Sequence, residues 1–498
     1  MPVKLSRREV LEAATVAVAI SVAAAGCHRG GGTTPAKDPA SAQPLATPVP
    51  SPTKPLTEMR LNPADIELIT PTDARYAALK TGYNLRIQHH PAAIAMCKTT
   101  EGVSAAVRYA AARGWKIAVR SGGHSFEGYS GCDDGMVIHL RSMHAIKHHE
   151  DQGITVGPGC ILRELYTDLL PKNRIVPAGS CATVGAGGLA LGGGYGFFSR
   201  TLGLTCDSLE DITFVDGAGN VLSGKTNPEL MWGCRGGGTA GLGVATELTF
   251  KTHAAPAAFR SWRFKARVAE GAHADAILAK WFAMCIKLPQ TSFSAFVLNG
   301  KVATILITGT EAPDATLTTV LQEMRSGYKQ TSTGLPQPLE KALPNYYGQT
   351  QPLRFKNASG GYYAGYSSIE AAANEILSMV IATPGLMFQV NTLGGAIQNP
   401  EAEARSCYAH RSLQFLAEVQ AYWDRGEAPK QLMDGYTALQ RAVAKCGITA
   451  HYANYPSSEF INWPTAYYAS SYPRLQALKK LTDPSDLFHF EQSIRLPG

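Results

Sequence analysis

A histidine and a cysteine, each set among glycines, are the residues of this chain with the clearest capacity for chemistry. His124 directly follows Gly122 and Gly123. Cys181 comes shortly after Gly179. Glycines let backbone N–H groups approach an anion or a planar ring closely, because no Cβ atom intervenes. A histidine in such a loop has few packing partners. The pattern therefore favours contact with a ligand over a place in a core.

Two further glycine clusters follow, in residues 185–196 and 235–243. Their density exceeds what turns need, and it predicts a bulky planar or anionic ligand lying against backbone. The first cluster is not a P-loop, since no GK[ST] follows it. Nor does it match the GxGxxG pattern of a nicotinamide site.

The elements that must position these loops alternate between strand and helix in the first part of the chain. We predict helices over 101–113 and 162–170, and strands over 116–120, 136–140, 154–156 and 247–250. A Pro/Ala segment at 254–258 marks a domain boundary. Beyond it we predict strands over 293–298 and 302–308 and helices over 413–422 and 431–444. The fold class is therefore α+β, with at least two domains.

Composition excludes several classes of protein. Of the 498 residues, 45% are hydrophobic and 17% charged, which is typical of a globular chain. The net charge of +7 is mild and the basic residues form no run, so we predict no nucleic-acid partner. No CxxC or HExxH occurs, so no metal site is predicted. Disulfide pairing and the oligomeric state stay open.

The N-terminal residues 1–27 read as an export signal. The segment SRREVL at residues 6–11 resembles a twin-arginine signal, and the apolar stretch 13–26 is shorter than the ~20 residues that span a bilayer. This route carries folded proteins, which suits an enzyme that acquires its cofactor before export. We expect a periplasmic or extracellular protein.

The signal ends in AAGC, which resembles a lipoprotein processing site at Cys27. Because Ala24 stands where a larger aliphatic residue is usual, membrane attachment through a lipid on Cys27 and simple cleavage both stay open. Residues 28–58 are rich in Pro, Ala, Ser and Thr and predict a disordered linker.

Five segments, taken in order, strongly resemble the berberine bridge enzyme-like FAD-linked oxidases of the vanillyl-alcohol oxidase superfamily. They are RSGGHSFEGYSG, GSCATVGAGGLALGGGYG, WGCRGGGTAGLGVATELTF, YANYP and YPRLQALKKLTDPSDLFHFEQSI. The resemblance runs from Tyr83 to Ile494. It implies a two-part PCMH-type FAD-binding domain, formed by residues 59–257 and the C-terminal segment 448–498, with an inserted α+β substrate domain over 258–447.

The resemblance also implies how FAD is bound. His124 matches the histidine that bonds to the flavin 8α-methyl, and Cys181 the cysteine that bonds to flavin C6. Attachment through one bond alone stays open. Ala182 replaces the usual proline after the cysteine. The other residues expected to bind the cofactor are Arg120, Ser121, Gly122, Gly123, Ser125, Gly128, Gly179, Thr183, Val184, Gly185, Gly188, Gly194, Gly196, Gly243, Val244 and Ser471.

Three tyrosines match the family's catalytic positions: Tyr452 and Tyr455 in YANY, and Tyr195 in GGGYG. An alcohol C–H would give hydride to flavin N5 while a tyrosine takes the O–H proton. A free tyrosine has a pKa near 10, so such a base needs a cation or hydrogen-bond donors beside it. The sequence does not name that partner.

The expected activity is oxidation of an alcohol on a sugar, oligosaccharide or secondary metabolite. Gly179 leaves room for O₂ near the flavin, which favours an oxidase that forms H₂O₂. A dehydrogenase that passes electrons to a quinone or redox protein, and a flavin-binding protein without turnover, are the alternatives. Trp463 and the pair Tyr467 and Tyr468 could stack on a sugar or belong to the core. Ala469 and Ser471 replace the family's usual Gly and Asn.

Overall fold

The computed structural model describes residues 61–498, so the predicted signal and linker lie outside it. The strands are β1 (Ile66–Ile69), β2 (Ala93–Cys97), β3 (Ile117–Arg120), β4 (Met136–His139), β5 (Ile146–His148), β6 (Ile154–Val156), β7 (Arg174–Ile175), β8 (Leu209–Val215), β9 (Val221–Ser223), β10 (Val244–Phe250), β11 (His253–Ala254), β12 (Arg260–Arg267), β13 (Ser292–Asn299), β14 (Val302–Gly309), β15 (Lys329–Thr333), β16 (Arg354–Tyr363), β17 (Leu386–Thr392) and β18 (Phe415–Trp423). The helices are α1 (Tyr76–Lys80), α2 (Thr100–Ala111), α3 (Leu162–Leu169), α4 (Ala186–Leu191), α5 (Ser199–Leu202), α6 (Pro228–Cys234), α7 (Gly271–Cys285), α8 (Ala315–Gly327), α9 (Leu339–Ala342), α10 (Glu370–Ala382), α11 (Pro400–Ala404), α12 (Lys430–Lys445), α13 (Trp463–Tyr468) and α14 (Tyr472–Thr482). Among residues 61–498, no helix is both long and apolar enough to cross a bilayer.

The N-terminal part (residues 61–257) contains two main sheets. A four-stranded sheet has the order β1-β2-β4-β3, in which β4 runs parallel to both β2 and β3. A five-stranded antiparallel sheet has the order β5-β6-β10-β8-β9. Helix α2 begins where the Thr99 side chain accepts a hydrogen bond from the Gly102 N–H, and it buries Val103 and Val107. The loop that carries His124 begins directly after β3, at the strand's carboxyl end.

The middle part (residues 258–447) is built on a seven-stranded antiparallel sheet of order β15-β12-β14-β13-β17-β18-β16. One face is covered by helices, among them α7, α10 and α12, and forms a core with Trp281, Phe388 and Leu439. Phe293 and Val297 on β13 point to the opposite face and share a core with Phe197 of the N-terminal part. The inner face of this sheet therefore meets the glycine-rich loops.

The predicted helix over 413–422 is wrong, because this segment forms strand β18. Its Leu, Ala, Glu and Gln residues favour a helix locally. Its side chains alternate, however: Ala417 and Val419 join the helix-covered core, while Glu418 and Tyr422 line a cavity on the other face. Hydrogen bonding to β16 and β17 on both sides outweighs the local preference. The predicted helix over 431–444 is confirmed as α12.

The C-terminal segment returns to the N-terminal part. The Ile117 N–H donates to the Leu487 carbonyl at 2.8 Å, and the Ile494 N–H to the Ala240 carbonyl at 2.9 Å. The Lys479 ammonium donates to the Gly241 carbonyl at 2.8 Å. The last two of these bonds hold the glycine-rich loop around residue 240 in place.

Ala469 sits in a backbone conformation that favours glycine, with φ +45° and ψ −127°. Its Cβ is strained there, at a cost of about 1 kcal/mol or more. We expect Ala469→Gly to raise the free energy of unfolding by about 1 kcal/mol, measured by urea unfolding of the holoprotein. Ala466→Gly, inside α13, is the matched control and should destabilise the protein. No gain for Ala469→Gly would refute the strain.

Candidate active site

A cavity of about 310 Å³ lies where the loops of the N-terminal part meet the inner face of the seven-stranded sheet. Loops and strands from all three predicted segments contribute to its wall. Most of the residues predicted from sequence line it, namely Ser121, Gly122, Gly123, His124, Ser125, Gly179, Cys181, Val184, Gly185, Gly188, Tyr195, Gly243, Tyr452 and Tyr455.

The other predicted residues lie outside the lining of this cavity: Arg120, Gly128, Thr183, Gly194, Gly196, Val244 and Ser471. Some of these residues make hydrogen bonds that hold the loops of the cavity wall in place. The buried Arg120 guanidinium donates to the carbonyls of Leu79, Lys80 and Ser130. It therefore fixes the segments on either side of the His124 loop.

His124 and Cys181 are linked through Thr183. The His124 Nε2 lies 2.9 Å from the Thr183 hydroxyl oxygen, and the imidazole stacks on Tyr83 with ring centroids 3.9 Å apart. Burial lowers the pKa of His124 to about 3, so the ring is neutral at physiological pH. Burial also raises the pKa of Cys181 to about 11, while hydrogen bonds from Thr183 oppose that rise. The cavity thus presents a neutral imidazole and a thiol.

The glycine-rich wall fits the dinucleotide cofactor that the motifs predict. A Cβ on Gly122 would lie 2.4 Å from the Gly185 nitrogen, so the two loops touch and the first requires glycine. A Cβ on Gly188 would meet nothing within 4 Å, because this position opens onto the cavity. Backbone can therefore approach a flat ring there without a side chain intervening. Residues 121–125 and 179–188 would hold FAD.

Tyr452 has the hydrogen-bond partners that the sequence could not name. Its hydroxyl oxygen accepts from the Gly194 N–H at 3.0 Å and from the Asn454 side-chain amide at 3.1 Å. Burial raises the pKa of Tyr452, and these two donors act in the opposite direction by stabilising the phenolate. Gly194, for which cofactor binding stays a prediction, supports this tyrosine through its N–H group.

The other two tyrosines lack such support. The buried hydroxyls of Tyr195 and Tyr455 have no hydrogen-bond partner among residues 61–498. Burial raises the pKa of Tyr455 well above its usual value, with no donor to oppose it. Tyr452 is therefore the best candidate for the base, and the other two are placed to contact a ligand.

Asn454→Ala should weaken Tyr452 as a base, because the phenolate loses one of its two donors and the pKa of Tyr452 rises. We expect flavin reduction at neutral pH to slow by about tenfold, the scale of one hydrogen bond to a charged group. The acidic limb of the pH–rate profile should move to higher pH. Stopped-flow reduction across pH tests this, with the exposed Asn462→Ala as control. An unchanged profile would exclude Asn454 from this role.

Glu418 is a cavity residue that the sequence reasoning missed. It is only 1% exposed, and its Oε1 accepts a hydrogen bond from the Asn357 amide at 3.2 Å. Its Oε2 has no partner among the described residues. Burial raises the pKa of Glu418 well above its usual value. The available signal was the alternation of Glu418, Gln420 and Tyr422 along a strand, which the helical interpretation concealed.

Aromatic rings form another part of the cavity wall. Phe355 has ring centroids 5.5 Å from Phe126, 5.9 Å from Tyr422 and 6.3 Å from Tyr83. Phe126 stacks on Tyr455 at 4.8 Å. All five rings line the cavity.

Trp463, Tyr467 and Tyr468, which could have stacked on a sugar, belong to a hydrophobic core. Tyr467 and Tyr468 also reach the cavity. The Tyr467 hydroxyl is already bonded to Gln492 and to the Ser457 N–H.

Fold and site together define a flavin-dependent oxidoreductase. A family model described as FAD binding domain matches residues 91–224, and one described as Berberine and berberine like matches residues 451–495. Chitooligosaccharide oxidase of Gibberella zeae is 31% identical over 463 residues, which cover 85% of this chain and 92% of that protein. Aclacinomycin-N/aclacinomycin-A oxidase of Streptomyces galilaeus is 28% identical over 493 residues, covering 86% and 89%.

Solved structures of similar proteins have the same fold. A chitooligosaccharide oxidase superposes with a TM-score of 0.80 at 26% identity, covering 89% of this chain and 99% of that one. Physcomitrella patens BBE-like 1 superposes with a TM-score of 0.80 at 25% identity, covering 89% and 100%. The chain belongs to the berberine bridge enzyme-like family of FAD-linked oxidoreductases. Its predicted fold class and FAD as its cofactor are confirmed.

Proposed function

We propose that this enzyme oxidises a carbinol group of a hydroxylated small molecule, a sugar, oligosaccharide or secondary metabolite, and passes the electrons to O₂. The alcohol loses a hydride and a proton and becomes a carbonyl, and O₂ becomes H₂O₂. The observation that carries the proposal is the Tyr452 hydroxyl, held by two donors in the cavity that His124 and Cys181 also line. The named oxidases among its relatives support the substrate class.

FAD, when bound, supplies the acceptor of the hydride. The protein's part is to hold the substrate and manage its proton. Tyr452 takes the O–H proton as a phenolate and becomes the neutral phenol. Before the transfer, the Gly194 N–H and the Asn454 amide stabilise the negative charge on the Tyr452 oxygen. The aromatic rings around Phe355 make part of the cavity wall apolar, which would keep water away from a bound substrate.

The proposal includes two covalent bonds to FAD, through His124 and Cys181. The His124 imidazole is neutral because burial lowers its pKa to about 3. Its Nε2 is engaged by Thr183, so Nδ1 is the ring nitrogen available for a bond. The two bonds would retain the cofactor outside the cytoplasm, where no FAD is supplied, and would raise its reduction potential.

Export in the folded state by the twin-arginine route, to the periplasm or beyond, is part of the proposal. The nine cysteines among residues 61–498 are all unpaired in the structure. Burial raises the pKa of core thiols such as Cys97 and Cys234, which disfavours the reactive thiolate. Folding before export would bury these thiols, so that they are protected from oxidation when the protein reaches an oxidising compartment. The mass of the mature N-terminus would distinguish a lipid on Cys27 from simple cleavage.

The test of function is anaerobic mixing of the holoenzyme with a panel of sugars, oligosaccharides and aromatic alcohols. We expect the flavin absorbance to bleach with at least one, and to return on admission of O₂ with one H₂O₂ formed per flavin. Bleaching that only a quinone or redox protein reverses would favour a dehydrogenase. No bleaching across the panel would count against the proposal.

Gly179→Ala should slow reoxidation by O₂ by about tenfold or more, equivalent to about 1.4 kcal/mol in the barrier. A Cβ at this cavity position would lie 3.3 Å from the Tyr195 carbonyl oxygen and 3.5 Å from Leu162, so a methyl group fits with a small adjustment. It would occupy space proposed for O₂. Stopped-flow mixing of the reduced enzyme with O₂ measures the effect. Reduction by substrate should keep its rate, and a variant that reoxidises normally would remove this role from Gly179.

A further inference from the structure

We infer that the protein binds one chloride-sized monovalent anion in a second, smaller cavity beside the loop that carries His124. This cavity has a volume of about 20 Å³. A single water molecule needs about 10–15 Å³, so the space suits one small ion and nothing much larger. No step of the proposed oxidation uses this cavity.

The small cavity lies between the chain segment 80–89 and the loop after β3. Gly123 and Ser125, the two neighbours of His124, line both this cavity and the main one, whereas His124 lines only the main cavity. The loop therefore separates the two cavities. An ion in the smaller one would contact the loop without entering the space expected for FAD.

The wall of the small cavity is cationic. Lys80, His89 and Arg120 line it, and no aspartate or glutamate is among its lining residues. Arg120 is only 4% exposed, and its guanidinium donates only to backbone carbonyls, which carry no net charge. Arginines that form ion pairs among residues 61–498 lie elsewhere. A buried charge without a counter-charge is costly, so this cation favours an anion beside it.

The neighbouring strand supplies no counter-charge to Arg120 either. In the parallel register of β3 and β4, Arg120 faces His139. Burial, together with the charges of Arg120 and Arg141, lowers the pKa of His139 to about 4, so this imidazole is neutral near pH 7. The negative charge that would stabilise Arg120 must therefore come from outside the strand pair.

His89 contributes a second polar group without a partner. Its Nε2 is buried and has no hydrogen-bond partner among the described residues, whereas its Nδ1 lies 3.0 Å from the Asp133 carboxylate. An imidazolium between that carboxylate and an anion would donate to both. A Cβ on Gly131 would lie 2.7 Å from the His89 ring and 3.2 Å from the Arg120 Nη2, so the two cationic side chains are close neighbours.

Ser125 adds a donor from the loop itself. Its hydroxyl oxygen accepts from the Tyr129 N–H at 3.0 Å, and its own hydrogen has no acceptor among residues 61–498. A water molecule in the cavity would satisfy this hydroxyl but would bring no charge to Arg120. A halide ion would do both.

A direct test uses bromide, which has the charge of chloride and scatters X-rays anomalously. Crystals of the holoprotein grown without halide are soaked in sodium bromide. We expect one anomalous peak in the small cavity, in contact with the Arg120 guanidinium. Because the holoprotein contains the phosphates of FAD, such a peak cannot arise from an empty cofactor site. Water alone in the cavity, or bromide only at the protein surface, would overturn the inference.

A solution test compares sodium chloride with sodium gluconate at equal ionic strength, since gluconate is too large for the cavity. We expect chloride to raise the melting temperature of the holoprotein by about 2 °C or more once its concentration is far above the dissociation constant. Equal melting temperatures in the two salts would count against the site.

Two substitutions of His139 locate the effect. His139→Asp places a carboxylate opposite Arg120, so we expect it to remove both the bromide peak and the chloride-dependent rise in melting temperature. His139→Asn, of similar size but neutral, should keep both. A His139→Asp variant that responds to chloride as the wild type does would overturn the inference. The bromide experiment on the wild type decides the matter even if a variant does not fold.

Discussion

Tyr452→Phe is expected to slow reduction of the bound flavin by about 10²–10⁴-fold, the usual contribution of a positioned general base. The variant keeps the ring, which packs among Tyr195, Tyr408 and Tyr455, and removes only the oxygen that accepts from Gly194 and Asn454. Flavin content should be unchanged, because the variant leaves both proposed attachment residues, His124 and Cys181, in place. Anaerobic stopped-flow reduction measures the rate directly.

Tyr455→Phe is the matched control. Its hydroxyl has no donor to stabilise a phenolate, so we expect a much smaller loss of rate and a change mainly in KM. Reduction at the wild-type rate in Tyr452→Phe, or a larger loss in Tyr455→Phe, would reverse the assignment of the base.

Lys479→Met is expected to lower the free energy of unfolding by about 3–5 kcal/mol, the cost of breaking a buried ion pair on one side. The side chains of Lys479 and Asp483 are both 0% exposed, with the ammonium nitrogen 2.6 Å from the carboxylate. The same ammonium donates to the Gly241 carbonyl, which belongs to the loop that lines the cavity. Flavin incorporation should therefore fall together with stability.

The neighbouring Lys480 provides the control, since it is exposed on the same helix. Lys480→Met should change stability by less than about 0.5 kcal/mol. Urea unfolding of both holoproteins, with the flavin-to-protein ratio measured alongside, makes the comparison. A Lys479→Met variant as stable as Lys480→Met would show that the buried pair does not anchor the C-terminal segment.

The loops expected to bind the cofactor can be recognised from local sequence. The long-range hydrogen bonds that hold the site residues in place cannot. The glycines around His124 and Cys181 lie close to those residues in the chain, so sequence alone picks out both loops, and both loops line the cavity. The donor from Gly194 reaches a tyrosine 258 residues away, and no local pattern encodes such a pairing. Arg120 and Thr183 also have hydrogen-bond partners that no local pattern indicates, the Leu79 carbonyl and the His124 imidazole, and their binding of the cofactor stays a prediction.

Strand β18 shows where local reasoning fails. Its helix-favouring residues are overruled by pairing with β16 and β17, which no short-range pattern could reveal. Because the strand was not predicted, Glu418 was not recognised as a cavity residue. Whether a strand residue reaches the cavity depends on which face of the sheet it occupies. The sequence therefore indicated the glycine-rich loops of the cavity wall but not the side chains that β18 contributes to it.

Acid precipitation of the holoenzyme tests the covalent attachment of FAD most directly. Wild type, His124→Ala, Cys181→Ala and the double variant are denatured in acid and spun down, and the flavin absorbance of pellet and supernatant is compared. We predict yellow pellets for wild type and for both single variants, and loss of colour to the supernatant only in the double variant. Release of the flavin from the wild-type protein would contradict covalent attachment altogether, and release from one single variant would leave one bond in place of two.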